Sequence, residues 1–293
     1  MKLIDGKAVS EELKSLLKIE LYDFNSANHR VPTLAAILVG DNPASKAYVN
    51  NKVRTCKEIG FNSLLIKLSA DITESELLHE VEKLNKNDEV DGFIVQLPLP
   101  GHIDEIKVTL AIDPKKDVDG FHPINFGRMA QGLPCYLPAT PYGITLLLER
   151  YNIDTAGKHV VVVGRSNIVG TPISILLSRK TKLGDATVTL AHSRTKNLSE
   201  ITRQADILIA AIGIPGFITE DMVKENTVII DVGINRVESP DSQEAGKLVG
   251  DVDFDRVKGK CSFITPVPGG VGPMTVMGLI LNTLKAAKKE IYP

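Results

Sequence analysis

The feature that most constrains this chain is a rhythm: short apolar runs, each ended by glycine or proline, alternate with stretches of helical periodicity. Thr33–Val39 (TLAAILV) meets Gly40-Asp41-Asn42-Pro43 and reads as a buried strand ending in a turn. A helix over about 44–59 follows and stops at Gly60. Residues 61–68 form a second strand, and Thr73-Glu74-Ser75-Glu76 is a capping box opening a helix that ends near Asn85. A third buried strand over 91–97 runs into Pro98-Leu99-Pro100-Gly101. Strand, helix, strand, helix, strand at these spacings predicts a parallel α/β sheet. The rhythm resumes with 158–164 (KHVVVVG), then strands at 187–191, 207–211, 228–232 and 262–265.

Three helices frame these two series. The first buries one face through Val9, Leu13, Leu16, Leu17, Leu21 and Phe24. A second, over about 142–151, joins the series, and a last one runs from near Pro273 to about Lys289. The stretch 113–141, rich in Pro, Gly and Asp with little periodicity, reads as a functional loop region. No internal repeat or low-complexity tract interrupts the pattern.

Composition removes several classes of function. The 293 residues are 43% hydrophobic and 24% charged with a net charge of -2, a globular balance without the clustered Lys and Arg that nucleic-acid phosphates demand. Three scattered cysteines, Cys56, Cys135 and Cys261, make neither a disulfide framework nor a metal-ligand pair, so a reducing compartment and a metal-free chain are expected. The opening residues show no apolar signal core, and no run of about 18 apolar residues could span a bilayer. The expectation is a cytoplasmic protein with neither a nucleic-acid nor a membrane partner.

In the second series, Gly164-Arg165-Ser166-Asn167-Ile168-Val169-Gly170-Thr171-Pro172 follows a strand and opens a helix. A helix N-terminus offers unpaired N–H groups and a positive dipole end to a pyrophosphate, and glycine lets the backbone approach it. Ser166 stands where a GxGxxG motif has its second glycine. The segment reads either as a dinucleotide site or as a plain structural turn; the strand–turn–helix context favours the former. The next strand ends in Ala191-His192-Ser193-Arg194. An NAD site places a carboxylate there for the ribose hydroxyls, whereas this chain offers a hydroxyl and a guanidinium suited to a 2′-phosphate, with Arg165 as a second candidate. NADP is therefore favoured over NAD, although Arg194 also reads as a solvated residue after a strand.

The first series carries candidates rather than a reaction. Tyr48 and Lys52 share a face of the predicted second helix. Taken alone, Lys52 reads as a solvated lysine and Tyr48 as a core residue. Gln96 ends a buried strand, where ligands of parallel sheets bind, but it equally suits a loop cap. Asp119, in Lys116-Asp117-Val118-Asp119-Gly120, suits a turn as well as a ligand.

Together these segments resemble the bifunctional methylenetetrahydrofolate dehydrogenase/methenyltetrahydrofolate cyclohydrolase family. Pro43-Ala44-Ser45-Lys46-Ala47-Tyr48-Val49-Asn50-Asn51-Lys52 resembles its first signature, and Pro268-Gly269-Gly270-Val271-Gly272-Pro273-Met274-Thr275 its second. Between them stand Gln96-Leu97-Pro98-Leu99-Pro100, the Lys116–Gly120 segment, the Gly164–Pro172 turn and Ile230-Asp231-Val232-Gly233-Ile234-Asn235. The resemblance spans the chain in order. It implies two α/β domains flanking a cleft: a folate-binding catalytic domain from 1–141 plus 274–293, and a Rossmann-like NADP-binding domain over 142–273.

It also implies roles. Tyr48 would stack on the folate ring system, Lys52 would serve proton and water chemistry at the one-carbon unit, Gln96 would adjust Lys52, and Asp119 would hold the pterin edge. Leu97, Pro268, Gly269 and Gly270 would complete the folate site. Gly164, Arg165, Ser166, Ile168, Val169, Gly170, Ser193, Arg194, Gly213, Ile234 and Thr275 would bind the dinucleotide. The implied activity is NADP-dependent oxidation of methylenetetrahydrofolate, then hydrolysis to formyltetrahydrofolate, by a cytoplasmic homodimer supplying one-carbon units to purine biosynthesis. Where the family commonly reads Pro-Cys-Thr-Pro, this chain has Pro138-Ala139-Thr140-Pro141; the lost thiol is no proposed acid, base or ligand. The competing readings are a monofunctional dehydrogenase, a two-domain dehydrogenase of hydroxy acids, and an NADP-binding sensor without catalysis. Lys52 argues against the first, and the six scattered histidines against the second.

Overall fold

Strand ends in this protein follow the apolar runs closely, because a strand buried on both faces has no polar position at which to waver. The structure, a computed structural model, describes residues 1–27, 29–237 and 246–293. In chain order its elements are β1 (Lys2–Leu3), α1 (Gly6–Ser26), β2 (Thr33–Val39), α2 (Pro43–Ile59), β3 (Asn62–Leu68), α3 (Glu74–Asn85), β4 (Gly92–Val95), α4 (Glu105–Ala111), α5 (Pro123–Ala130) and α6 (Ala139–Arg150). There follow β5 (His159–Val163), α7 (Gly170–Ser178), β6 (Thr187–Ala191), α8 (Leu198–Thr202), β7 (Ile207–Ala210), β8 (Thr227–Asp231), β9 (Asn235–Val237), β10 (Lys247–Val249), α9 (Phe254–Val257), β11 (Cys261–Ile264) and α10 (Val271–Ala287).

The chain divides into two compact units. One comprises Glu11–Ala139 with Val276–Pro293, the other Met1–Ser10 with Thr140–Thr275. Residues 1–10, expected with 11–141, group by contact with the second unit, because β1 pairs in parallel with β11, an association between distant segments that local pattern cannot reveal.

In the first unit a parallel sheet runs β3-β2-β4. Ala35, Ile37 and Phe93 of this sheet pack against Leu77 and Val81 of α3. The Thr73 capping box forms as expected, its hydroxyl receiving the Glu76 N–H at 3.2 Å. The later turns of α10 belong here, where Asn282 donates its amide to the carbonyls of Val118 and Leu137, each at 2.8 Å. The stretch 113–141 is less irregular than expected. It contains α5, started by Pro123 after the His122 cap, whose ring nitrogen accepts from Ile124 N–H. Eight residues are too few to show a helical period. The seven residues of α4 are likewise too few to show one.

The second unit is a six-stranded parallel sheet in the order β1-β11-β8-β7-β5-β6. Val161, Leu208, Ile229 and Ile264 are completely buried in its core. In both units the chain adds one strand on one side of a starting strand, β2 in the first unit and β5 in the second, and then crosses to the other side. Strand order therefore reverses between β2 and β4, and again between β5 and β7. Crevices beyond the carboxyl ends of strands at such reversals are where open α/β sheets bind ligands.

Helix α1 buries a narrower face than its apolar residues suggest: Leu17 is 2% exposed but Leu16 is 51% exposed. Leu17→Ala should therefore cost about 2–5 kcal/mol, and Leu16→Ala no more than about 0.5 kcal/mol. Urea unfolding of both variants measures this, and equal losses would mean the helix is phased differently.

Candidate functional site

Two groups of side chains gather at the two strand-order reversals. In the first unit, Asn42 accepts N–H bonds from Ala44 and Ser45 with its side-chain oxygen and so starts α2 just beyond β2. The inward face of that helix carries Ser45, Val49, Lys52, Thr55, Cys56 and Ile59. Lys52 thus lies on a core-facing stripe and is only 8% exposed; it is not a solvated lysine. Its ammonium donates to Gln96 Oε1 at 3.1 Å. Gln96 sits one residue beyond β4 and donates in turn to the Leu97 carbonyl at 2.7 Å, which fixes which end of its amide faces the lysine.

Burial pulls the Lys52 pKa below its ordinary 10.5, and the charge of Asp119 opposes that shift. The Asp119 carboxyl is raised by burial in turn, with Lys52 opposing. The two groups feel each other's charge, and among the described residues they form no ion pair. Tyr48 stands one turn before Lys52 and is 37% exposed, with its phenol pKa raised by partial burial. It is not the core residue that its type suggests.

The turn-closing duty in this loop falls to Asp117, two residues before Asp119. Its carboxylate accepts from the N–H groups of Phe121 and His122 and from the Asn125 amide, the last two at 2.8 and 2.9 Å. Asp119 is left out of that scaffold. Phe93 N–H also bonds the Lys116 carbonyl, which ties the loop to β4 and brings Asp119 to the sheet end where Gln96 stands.

In the second unit, Gly164 follows β5 and Gly170 opens α7. Neither has room for a side chain: a Cβ on Gly164 would lie 2.0 Å from the Ala211 carbonyl oxygen, and one on Gly170 1.9 Å from that of Gly164. These two glycines allow the turn to close against the segment that follows β7. Ser166, the departure from GxGxxG, has a structural use. Its hydroxyl accepts from Val169 N–H at 3.1 Å and Gly170 N–H at 3.4 Å. Arg165, Ser166 and Ile168 are exposed, and Val169 is half-buried. Beyond β6, Ser193 and Arg194 are exposed on a turn closed by Thr195 Oγ1, which accepts from His192 N–H at 2.8 Å. Ile234 is 41% exposed, and Thr275 meets Thr140, hydroxyl to hydroxyl, at 3.0 Å.

Sequence reasoning missed a pair of buried carboxylates under these loops. Asp251 Oδ2 accepts from the N–H groups of Ile212 and Gly213 at 2.6 and 2.9 Å, and its Oδ1 from the Asn235 amide at 2.9 Å. Asp231, the last residue of β8, accepts from Gly233, Asp251 and Val252 N–H groups at 2.9–3.0 Å. The segments after β7 and β8, which hold Gly213 and Ile234, are thus pinned to one acidic knot. An aspartate ending a wholly apolar run was the available signal.

The fold and the glycine turn define the second unit as a Rossmann-like NAD(P)-binding domain. The sequence matches the tetrahydrofolate dehydrogenase/cyclohydrolase catalytic domain over residues 4–119 and the NAD(P)-binding domain of the same name over residues 138–291. The bifunctional protein FolD of Flavobacterium johnsoniae is 58% identical over 288 residues, covering 98% of each chain. The crystal structure of the bifunctional FolD dehydrogenase/cyclohydrolase of Campylobacter jejuni superposes with a TM-score of 0.93 at 49% identity over 99% of both chains. The Trypanosoma brucei FolD structure, complexed with NADP cofactor and inhibitor, also gives 0.93, at 36% identity over 99% of this chain and 98% of that one. The chain belongs to the tetrahydrofolate dehydrogenase/cyclohydrolase family.

Burial pushes the Asp231 carboxyl from its ordinary 3.8 up to about 7, against the pull of its N–H donors. A carboxyl that binds its proton more tightly when folded contributes stability that is complete below its unfolded pKa and is lost as pH rises through the folded one. The window therefore runs from 3.8 to about 7. Across it, the urea midpoint of Asp231→Asn should fall less steeply than that of the parent, and parallel profiles would contradict the raised value.

Proposed function

We propose that the protein oxidises methylenetetrahydrofolate to methenyltetrahydrofolate with NADP and then hydrolyses that product to formyltetrahydrofolate. The observation that carries the reading is Lys52: a buried amine, held by one amide oxygen, with a pKa moved down by desolvation. Hydrolysis needs a group that exchanges protons near neutrality, and a lysine serves once burial has brought it towards that range. The bifunctional names of the relatives agree with this reading.

In this reading Tyr48 stacks on the pterin and Asp119 accepts from its edge, with Leu97 and the backbone of Pro268, Gly269 and Gly270 completing the folate site. Gln96 keeps the Lys52 amine on target. As water adds to the methenyl carbon, an oxygen–carbon bond forms, a carbon–nitrogen bond opens and one proton leaves; Lys52 manages that proton. NADP, when bound, supplies the hydride acceptor for the first reaction. The two glycines that admit no Cβ and the N-terminus of α7 suit its pyrophosphate, and Ser193, Arg194 and Arg165 suit its 2′-phosphate. The NADP in the Trypanosoma brucei structure supports that choice over NAD. A homodimer formed through the nucleotide-binding unit, working in the cytoplasm to supply formyl groups for purine synthesis, belongs to the same reading.

The test mixes the protein with methylenetetrahydrofolate and NADP and follows NADPH and methenyl absorbance separately. NADPH should rise without lasting methenyl accumulation; accumulating methenyl would indicate a monofunctional dehydrogenase, and no NADPH would contradict both. Lys52→Met should abolish hydrolysis, and normal hydrolysis in that variant would remove Lys52 from the mechanism. Because the amine titrates below its ordinary 10.5, hydrolysis by the parent should climb with pH and level off below that value. A pH-independent rate would exclude the neutral amine as base.

Arg194→Ala should raise the Kd for NADP on the order of tenfold or more while barely changing that for NAD, since only NADP loses a charge-assisted contact. Equal losses, read by fluorescence titration, would contradict a phosphate contact.

A further inference from the structure

We infer that residues 4–7 buttress the 268–270 loop from behind and thereby set the affinity for folate, with Gly6 as a positioning residue. The inference rests on the folate role given above to Pro268, Gly269 and Gly270. Those residues have their own N-terminal neighbour in space. β1 lies along β11 with Lys2 opposite Phe263 and Leu3 opposite Ile264. Ile4, completely buried, donates its N–H to the Ile264 carbonyl at 2.8 Å, so the segment follows β11 out towards the loop. There Lys7 N–H bonds the Gly269 carbonyl at 2.9 Å.

Gly6 is the point of closest approach. A Cβ on it would sit 1.7 Å from the Gly270 carbonyl oxygen and 3.1 Å from that of Gly269. It is not among the residues with positive φ, so backbone conformation does not require glycine at this position. Alanine is the better helix former, and Gly6 opens α1. What glycine supplies here is space for the loop to lie against the segment.

The segment is itself anchored. Asp5 N–H donates to the Tyr151 hydroxyl at 2.7 Å, and Asp5 Oδ1 accepts from Ala8 N–H at 2.9 Å to cap α1. Gly270 is also packed against the loop's own entry, where a Cβ on it would lie 2.6 Å from the Pro266 carbonyl oxygen. A side chain at position 6 must therefore push the Gly270 carbonyl away from a place where it has little room to move.

The experiment uses the full chain carrying Gly6→Ala and, separately, Tyr151→Phe, which slackens the anchor without a clash. For Gly6→Ala the KM for folate should rise on the order of tenfold or more in both reactions, as misplacing a positioning element costs, while NADP affinity is retained. Tyr151→Phe should show a smaller shift in the same direction. Hydrogen exchange across residues 264–272 should quicken in both variants. An unchanged folate KM, unchanged exchange, or equal losses of folate and NADP binding would each overturn the positioning role. A parent protein that turns over no folate contradicts the function on which the inference rests and is recognised before any variant is assayed; the exchange data then still decide whether the buttress exists.

Discussion

The rest of the site depends on the burial of one ammonium group. Taking an unpaired charge out of water costs several kcal/mol even after a protein relaxes around it. Among the described residues, Lys52 meets that cost with a 3.1 Å hydrogen bond to Gln96 and the field of Asp119, not with an ion pair. An intimate carboxylate would have held the proton and fixed the charge. An amide oxygen leaves the amine free to lose it. Gln96 is the neutral partner that such a balance requires, and its bond to the Leu97 carbonyl prevents its amide from turning the wrong end to the lysine.

Topology brings these groups to one place. Lys52 comes from the helix that follows β2, Gln96 from the end of β4, and Asp119 from the loop laid beside β4, so the site lies where strand order reverses. The second unit repeats the logic with different chemistry. Backbone and glycine, not titratable side chains, form the turn after β5, and the acidic knot of Asp231 and Asp251 holds the neighbouring segments in register. Two carboxylates can lie that close because each is supplied with N–H donors, and burial raises the pKa of Asp231.

How much of this was legible in the sequence depended on whether the deciding contact was local. Thr33–Val39 and Thr187–Ala191 have in the structure the ends read from their apolar runs, and the Thr73 cap was visible as a four-residue pattern. Short helices were not: α4 and α5 are too brief for periodicity, although Pro123 after a capping residue was a usable sign of the latter. Leu16 misled because type does not report facing. The pairing of β1 with β11 and the Asp231–Asp251 knot join segments far apart in the chain, and no local pattern encodes them. For the site, strand ends located Gln96 but could not separate ligand from loop cap. The burial of Lys52 was invisible to residue type, since a lysine reads as solvated until the helix face is known. The role proposed for it rests on the family resemblance; what the structure adds is its burial and its bond to Gln96.

The fold keeps the Lys52 amine dry, and burial moves its titration below the ordinary lysine range. A direct measurement is NMR titration of protein labelled with carbon-13 at the lysine side-chain Cε, with the Lys52 signal assigned by its loss in Lys52→Met. The signal that disappears in that variant should have its midpoint below 10.5. A Lys52 signal titrating at or above 10.5 would mean that the amine is not held out of water.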